Sequence, residues 1–258
     1  MPPTPLSIPP ASPFFIVLNA GSGAGHAEEA EAALAQVLAQ ADRQHAVIRV
    51  SSGTALAQAA AHAVQQAHHH HGVVVAAGGD GTLNAVTQAV LPTGLPFGVL
   101  PRGTFNYFSR THGIPADPVQ AAKLLVHARA HPVQVGLVND RVFLVNASLG
   151  MYPQLLEDRE AYKRRFGRSR WVARLAGLAA LLGQHRQMHV VLEQGDRMLR
   201  ARTPTLFVGN NRLQLEQLGL PEAGSVETGG VLAALMLRPV GPLSMLGLAM
   251  RGALGQLG

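Results

Sequence analysis

At 258 residues, 47% hydrophobic and 14% charged, the chain has the size and apolar content of one large or two modest globular domains, which excludes a disordered polymer. The absence of cysteine excludes disulfides and thiolate metal sites and suits a reducing compartment. Lysine plus arginine number 21 against 15 aspartates plus glutamates, a net charge of +6 that suits nucleic acid, phosphorylated ligands or an anionic lipid surface alike.

The opening MPPTPLSIPPASP lacks a basic n-region and an apolar h-region, so it reads as a disordered, proline-rich lead-in over residues 1–12 and not as a signal peptide. Phe14 to Leu18 is a short apolar strand that runs into Asn19-Ala20-Gly21-Ser22-Gly23. A helix follows, with apolar residues at Ala30, Leu34, Val37, Leu38 and Ala41. His45 to Val50 reads as a second strand and Leu56 to Ala67 as a second helix. His68 to His71 is a run of imidazoles; a transition-metal site is weighed against a polar helix end, and the helix end is expected. Val73 to Ala77 is a buried-type strand, Leu83 to Val90 a helix, and Phe97 to Leu100 a fourth strand. Continuous apolar strands with helical crossovers predict a parallel sheet covered on both faces. Asp117-Pro118 predicts an N-cap with proline at the first position of a helix reaching about His127.

Past His131 the period changes. Val133–Val138 and Arg141–Asn146 flank the turn residues Asn139-Asp140, and alternation at Met188, Val190 and Leu192 leads to a second turn at Gly195-Asp196. Thr205–Val208 and Val231–Leu237 complete a β-rich half, interrupted by a basic helical segment from about Pro153 to Gln184. The expected organisation is therefore α/β: a parallel-sheet domain over 13–130 and a β-rich domain over 131–258. Arg174 interrupts the best apolar run, which falls short of the roughly 18 residues of a spanning helix. Trp171 among Arg164, Arg165, Arg168, Arg170 and Arg174 reads either as a solvated cationic face or as a membrane-surface helix with an aromatic anchor. No recognition motif accompanies the positive charge, so nucleic acid is not an expected partner.

Chemistry concentrates where strands end. Val75 to Asn84 carries a strand into Gly78-Gly79-Asp80-Gly81-Thr82: glycines let backbone approach a bulky anion, and the following helix offers its N-terminal amides to phosphate. Asp80 is placed to order a metal–phosphate assembly, and Thr82 supplies a hydroxyl. The first loop is no dinucleotide fingerprint, because His26 takes the third glycine position, yet it can cap a nucleotide. Leu100-Pro101-Arg102-Gly103-Thr104-Phe105-Asn106 repeats the pattern with a cation beside it. Three such loops at one sheet edge converge on the crevice where open α/β sheets bind ligands.

Asn19 to Gly23, Gly78 to Asn84 and Leu100 to Asn106 resemble, in order and spacing, the three signature loops of the diacylglycerol kinase catalytic domain, over about residues 14–240. Asn146 to Gly150 and Phe207 to Asn211 resemble further family patterns. The resemblance implies a nucleotide domain like those of NAD kinases and phosphofructokinases, followed by a sandwich-like β-domain. It implies transfer of the ATP γ-phosphoryl group to the hydroxyl of diacylglycerol or a related lipid. The implied nucleotide contacts are Asn19, Gly21, Ser22 and Gly23; Ser51 or Ser52 after the second strand; Gly78, Gly79, Asp80, Gly81, Thr82, Leu83 and Asn84; and Arg102, Gly103, Thr104 and Asn106. Asp80 and Glu227 are the implied catalytic carboxylates and ligands of Mg2+, with Arg102 offsetting developing charge. The expected partners are a lipid substrate and an anionic membrane surface met peripherally from the cytoplasmic side; a homodimer stays open. Departures set the alternatives. Val226-Glu227-Thr228-Gly229 stands where the family has an Asp-Gly pair, Tyr107 stands where relatives have aspartate or histidine, and the family's closing Asp-Gly-Glu strand has no counterpart before Gly258. A nucleotide-binding protein of the same fold with weak or no catalysis is one alternative. An NAD kinase-like enzyme is the other, though Thr104-Phe105-Asn106 favours the lipid branch.

Overall fold

The computed structural model describes residues 6–21, 27–150, 187–217, 223–228 and 230–237. In chain order the first part carries β1 (Leu6–Ser7), β2 (Phe14–Asn19), α1 (Ala27–Gln40), β3 (His45–Val50), α2 (Gly53–His69), β4 (Val73–Gly78), α3 (Asp80–Val90), β5 (Phe97–Pro101), α4 (Tyr107–Thr111) and α5 (Pro118–His127). Strands β3-β2-β4-β5 form one parallel sheet in that order. Because β2 lies between β3 and β4, the order reverses beside β2, and the crevice of an open α/β sheet opens at such a reversal.

Alternation along each strand splits the core in two. Phe15, Val17, Val74 and Ala76 face α2 and α3, while Phe14, Ile16, Val73 and Val75 face α1 and α5. Ile16, Val17, Val74, Val75 and Ala76 are fully buried. Burial of each large aliphatic side chain contributes about 1.5–3 kcal/mol, so the sheet is held from both faces, as the continuous apolar runs predict. Helix α2 ends at His69, with His70 as its C-cap and His71 at φ 52°, so the histidine run is the helix end expected of it. Asp117 caps α5 by accepting from the Gln120 amide at 2.8 Å, with Pro118 following it.

The lead-in departs from expectation at residues 6–12, which are anchored. β1 pairs antiparallel with β6 (Arg129–Ala130), and the Arg43 guanidinium donates to the carbonyls of Pro9 (2.8 Å), Ser12 (3.0 Å) and Val126 (3.3 Å) while lying 4.7 Å from the Phe14 ring centroid. Burial lowers the pKa of this guanidinium without neutralising it.

The hairpin of β7 (Gly136–Val138) and β8 (Arg141–Phe143) turns at Asn139 and Asp140, both at positive φ. Among the described residues the chain divides into two compact units. The first continues past the expected boundary near residue 130 to Asn146 and takes in Gly209–Leu232, which includes α6 (Arg212–Gln217) and α7 (Ala223–Thr228). The reason is packing: Val142 and Leu144 are buried in the same core layer as α2 and α3. In the second unit, β10 (Met188–Gln194) and β11 (Arg197–Thr203) pair antiparallel around Gly195. A three-stranded sheet joins β13 (Ala233–Met236), β12 (Thr205–Gly209) and β9 (Asn146–Gly150). The basic segment expected as a helix over 153–184, with Trp171 and its arginines, lies outside the described residues, as do Ser22 and Gly23.

Candidate functional site

The carboxyl ends of β2, β4 and β5 bring three loops together at the point where the sheet order reverses. Asn19 ends β2 and brackets two of them: its Nδ2 donates to Thr82 Oγ1 at 2.9 Å, and its Oδ1 accepts from the Gly21 amide at 3.0 Å. The Ala20 amide donates to the Val50 carbonyl at 2.8 Å, which sets the first loop beside Ser51. Ser51 is exposed there, and Ser52 stands at the N-cap position of α2, where its hydroxyl bonds to the Thr54 hydroxyl at 3.1 Å and not to a helix amide.

The glycines divide by what surrounds them. A Cβ on Gly103 would lie 2.6 Å from Gly79 Cα and 2.9 Å from Asn106 Oδ1, so the second and third loops meet backbone to backbone. A Cβ on Gly78 would strike the Thr82 side chain. A Cβ on Gly81 would meet nothing within 4 Å beyond its own helical turn. Gly78, Gly79 and Gly103 are therefore needed for internal packing, whereas Gly81, in the first turn of α3, leaves open space beside helix amides that have no intrahelical acceptor. That opening fits a phosphate, because the amides and the helix dipole both favour an anion there.

Asp80 opens α3 and is half-buried. Its Oδ2 accepts from the Tyr107 amide and its Oδ1 from the Phe108 amide, each at 3.1 Å, so the carboxylate caps α4. Asn106 sits in the left-handed region at φ 48° and closes its own loop: its Oδ1 accepts from the Gly103 amide and its Nδ2 donates to the Gly103 carbonyl, both at 2.8 Å. Thr104 and Phe105 are left exposed at the loop tip. Arg102 follows β5 with Nη1 buried and unpartnered; burial lowers the guanidinium pKa, and the Glu31 carboxylate opposes that shift. Arg102 lines a small cleft with Leu34, Ala77, Pro118 and Ala121, and an orphaned cationic nitrogen is the kind of donor an anionic ligand would satisfy. Each Asp80 oxygen keeps a lone pair beyond its amide bond. The donor set of one fixed carboxylate with phosphate oxygens therefore fits Mg2+, which is ordinarily held by one or two carboxylates plus substrate phosphates.

Of the residues expected from the sequence, Asn19, Gly21, Ser51, Gly78 to Thr82, Arg102, Gly103, Thr104 and Asn106 are placed at these strand ends. Leu83 is buried in the core. The Asn84 amide turns to the hairpin, where Nδ2 donates to the Val142 carbonyl at 3.0 Å and Oδ1 accepts from the Leu144 amide at 2.9 Å. Glu227 lies on α7, whose Val226 is buried in the first unit, and its side chain is outside the described residues. Sequence reasoning missed Glu31, which binds Arg49 at 2.8 Å and acts electrostatically on Arg102; an isolated acid in a helical run carries no signal of its own. It also missed the aromatic pair at the third loop. The rings of Phe105 and Tyr107 stack 5.7 Å apart at 5°, and Tyr107 Oη donates to Gln217 Oε1 at 2.8 Å. The departure from the family pattern at Tyr107 was the one available sign.

Residues 13–138 match the family model described as diacylglycerol kinase catalytic domain. A protein of Serratia proteamaculans (strain 568) described as "Probable lipid kinase YegS-like" is 34% identical over 146 residues, 55% of this chain and 46% of the relative. One of the same description from Klebsiella pneumoniae (strain 342) is 40% identical over 74 residues, 28% of this chain and 25% of the relative. The chain thus spans less than half the length of these two curated relatives. A solved crystal structure of a diacylglycerol kinase from Bacillus anthracis str. Sterne has the same fold, with a TM-score of 0.58 at 21% identity, over 78% of this chain and 65% of that one. Residues 13–138 are thus similar to a diacylglycerol kinase catalytic domain.

Proposed function

We propose that the protein is an ATP-dependent lipid kinase that transfers the γ-phosphoryl group to a hydroxyl of a diacylglycerol-like lipid. The observation that carries this reading is the open position at Gly81, at the head of α3, between loops locked together by the Gly79–Gly103 contact and the Asn19–Thr82 bond. In it the ATP phosphates would lie against the first-turn amides of α3, near Gly21, Ser51 and Thr104, with Ser22, Gly23 and Arg102 as further proposed contacts. The acceptor oxygen bonds to the γ-phosphorus as the bond to the β–γ bridging oxygen breaks; ADP leaves, and the hydroxyl proton passes to a base. Asp80 and Glu227 would hold Mg2+, which when bound neutralises phosphate charge, and Arg102 offsets the rest. The acceptor would be met at an anionic membrane surface; no helix among the described residues is long and apolar enough to cross a membrane.

Radiolabelled ATP with a mixed-lipid extract tests the proposal. A labelled lipid is expected with the native protein, and its loss with Asp80→Asn; absence of Mg·ATP binding in the native protein would sink the reading. A nucleotide-binding protein without turnover is the second reading, favoured by the use of both Asp80 oxygens as helix caps. It is supported if ATP binds but diacylglycerol, sphingoid bases and phosphatidylglycerol all stay unlabelled.

A further inference from the structure

A second concavity in the first unit is separate in its lining from the glycine loops. Its volume is about 280 Å3, and its floor is the buried rings and methyls of Phe108 and Leu144. One wall is the end of α4, with Thr111 and its C-cap His112; opposite it run His131 to Gln134, and Asn210 to Arg212 close the third side. The return of the chain at 209–212 builds this wall. Asn210 is nine-tenths buried or more; its Nδ2 donates to the carbonyls of Gln134 and Leu144, each at 3.1 Å, and its Oδ1 accepts from Gln134 Nε2 at 2.7 Å. Asn211 Nδ2 donates to Thr111 Oγ1 at 3.0 Å, while its Oδ1 accepts from the Gln214 amide at 3.0 Å to cap α6. The wall is therefore fixed before any ligand arrives.

The lining chemistry narrows the ligand. The Gln134 and Asn210 amides are engaged with each other and with backbone. The Thr111 hydroxyl accepts from Asn211 and keeps its proton to donate. His112 packs on Phe108 with ring centroids 4.5 Å apart, and His131 is an exposed imidazole at the rim. Arg212 adds a guanidinium, ion-paired through Nε to Glu216 at 2.6 Å. Among the described residues no aspartate or glutamate lines the cavity. Donors over an apolar floor select a ligand with acceptor oxygens, negative charge and a short hydrocarbon frame. A cavity of about 280 Å3 has room for a head group.

We infer that this cavity binds the phosphate ester of a small polyol, presented as a phospholipid head group or as a free ester. The inference rests on the lipid-kinase reading for its purpose, since it names the head-group class of the acceptor or product. The test uses the full chain with sn-glycerol 3-phosphate, inorganic phosphate and glycerol by titration calorimetry. A second arm uses phosphatidylcholine vesicles with and without phosphatidylglycerol. The native protein is expected to bind glycerol phosphate and not glycerol. His131→Ala and Thr111→Val should each weaken that binding about tenfold, the share of one hydrogen bond to a charged group, while Mg·ATP affinity is kept. Loss of phosphatidylglycerol-dependent vesicle binding in the same variants assigns the lipid source; retained vesicle binding assigns the free ester. If the native protein binds neither probe, or both variants bind as it does, the inference is overturned. Failure of the kinase reading looks different: no lipid is labelled by ATP, yet glycerol phosphate still binds in a His131-dependent way.

Discussion

At the scale of single residues, four glycines with one sequence signature do two different jobs. Gly78, Gly79 and Gly103 are filled around by Thr82, by each other and by Asn106, and only Gly81 faces open space. Gly103→Ala is thus expected to lower stability by about 1–3 kcal/mol, because backbone and a hydrogen-bonded amide must both shift. Gly81→Ala is expected to raise the thermal midpoint, since alanine is the better helix former by about 1 kcal/mol, while it weakens Mg·ATP binding by crowding the phosphate position. Calorimetry of the two variants, with and without nucleotide, separates these roles. Equal ATP affinity for Gly81→Ala and the native chain would remove the phosphate from the head of α3. A third residue is simpler. Thr87 Oγ1 is buried without a partner, so Thr87→Val should stabilise the protein by about 1 kcal/mol and leave nucleotide binding alone.

At the scale of elements, the β7–β8 hairpin shows what local chemistry decides. Asn139 and Asp140 sit at φ 46° and 61° between the paired Val138 and Arg141, the conformation of a two-residue type I′ turn. Asp140→Gly should therefore raise the unfolding free energy by about 0.5 kcal/mol or more, read as a higher urea midpoint at an unchanged m-value; a fall would mean that the Asp140 side chain has an unseen role. What the hairpin packs against is not local. Asn84 and Gln88 of α3 reach Val142, Leu144 and Asp140, a separation of more than 50 residues. Asn84→Ala should lower stability by about 2 kcal/mol, since it leaves a backbone amide and a carbonyl short of their partners, with a smaller effect on ATP affinity. The opposite ranking would return the Asn84 side chain to the nucleotide.

For the whole molecule, ligand linkage gives the broadest check. At a concentration about 100 times its dissociation constant, Mg·ATP should add about 2.7 kcal/mol, which is a rise of several degrees in the midpoint for a chain of this size. Chelation of the metal should reduce that rise, because the phosphates would then lose a counter-charge beside Asp80. A midpoint indifferent to ATP at any metal concentration contradicts the nucleotide reading.

The amino-acid sequence by itself determined the four parallel strands, the helices between them, the α5 cap and both hairpin turns. These follow from the 2.0 and 3.6 periodicities and from residues such as Asp117, Asn139 and Gly195 whose preferences act over a few positions. It also determined where the loops of the candidate site lie, because a parallel strand that ends in glycine must turn at the sheet edge. It did not determine the short helices α4, α6 and α7, since five or six residues carry too little periodicity to read. Only the tertiary structure decided that Asp80 caps α4, that Gly79 meets Gly103, that Arg43 ties down residues 9–12, and that Asn210 and Asn211 bring a late segment back to the first unit. Each of these pairs residues far apart in the chain, and a hydrogen bond or steric contact between such residues leaves no periodic trace in the sequence; it exists only once the sheet has set their distance.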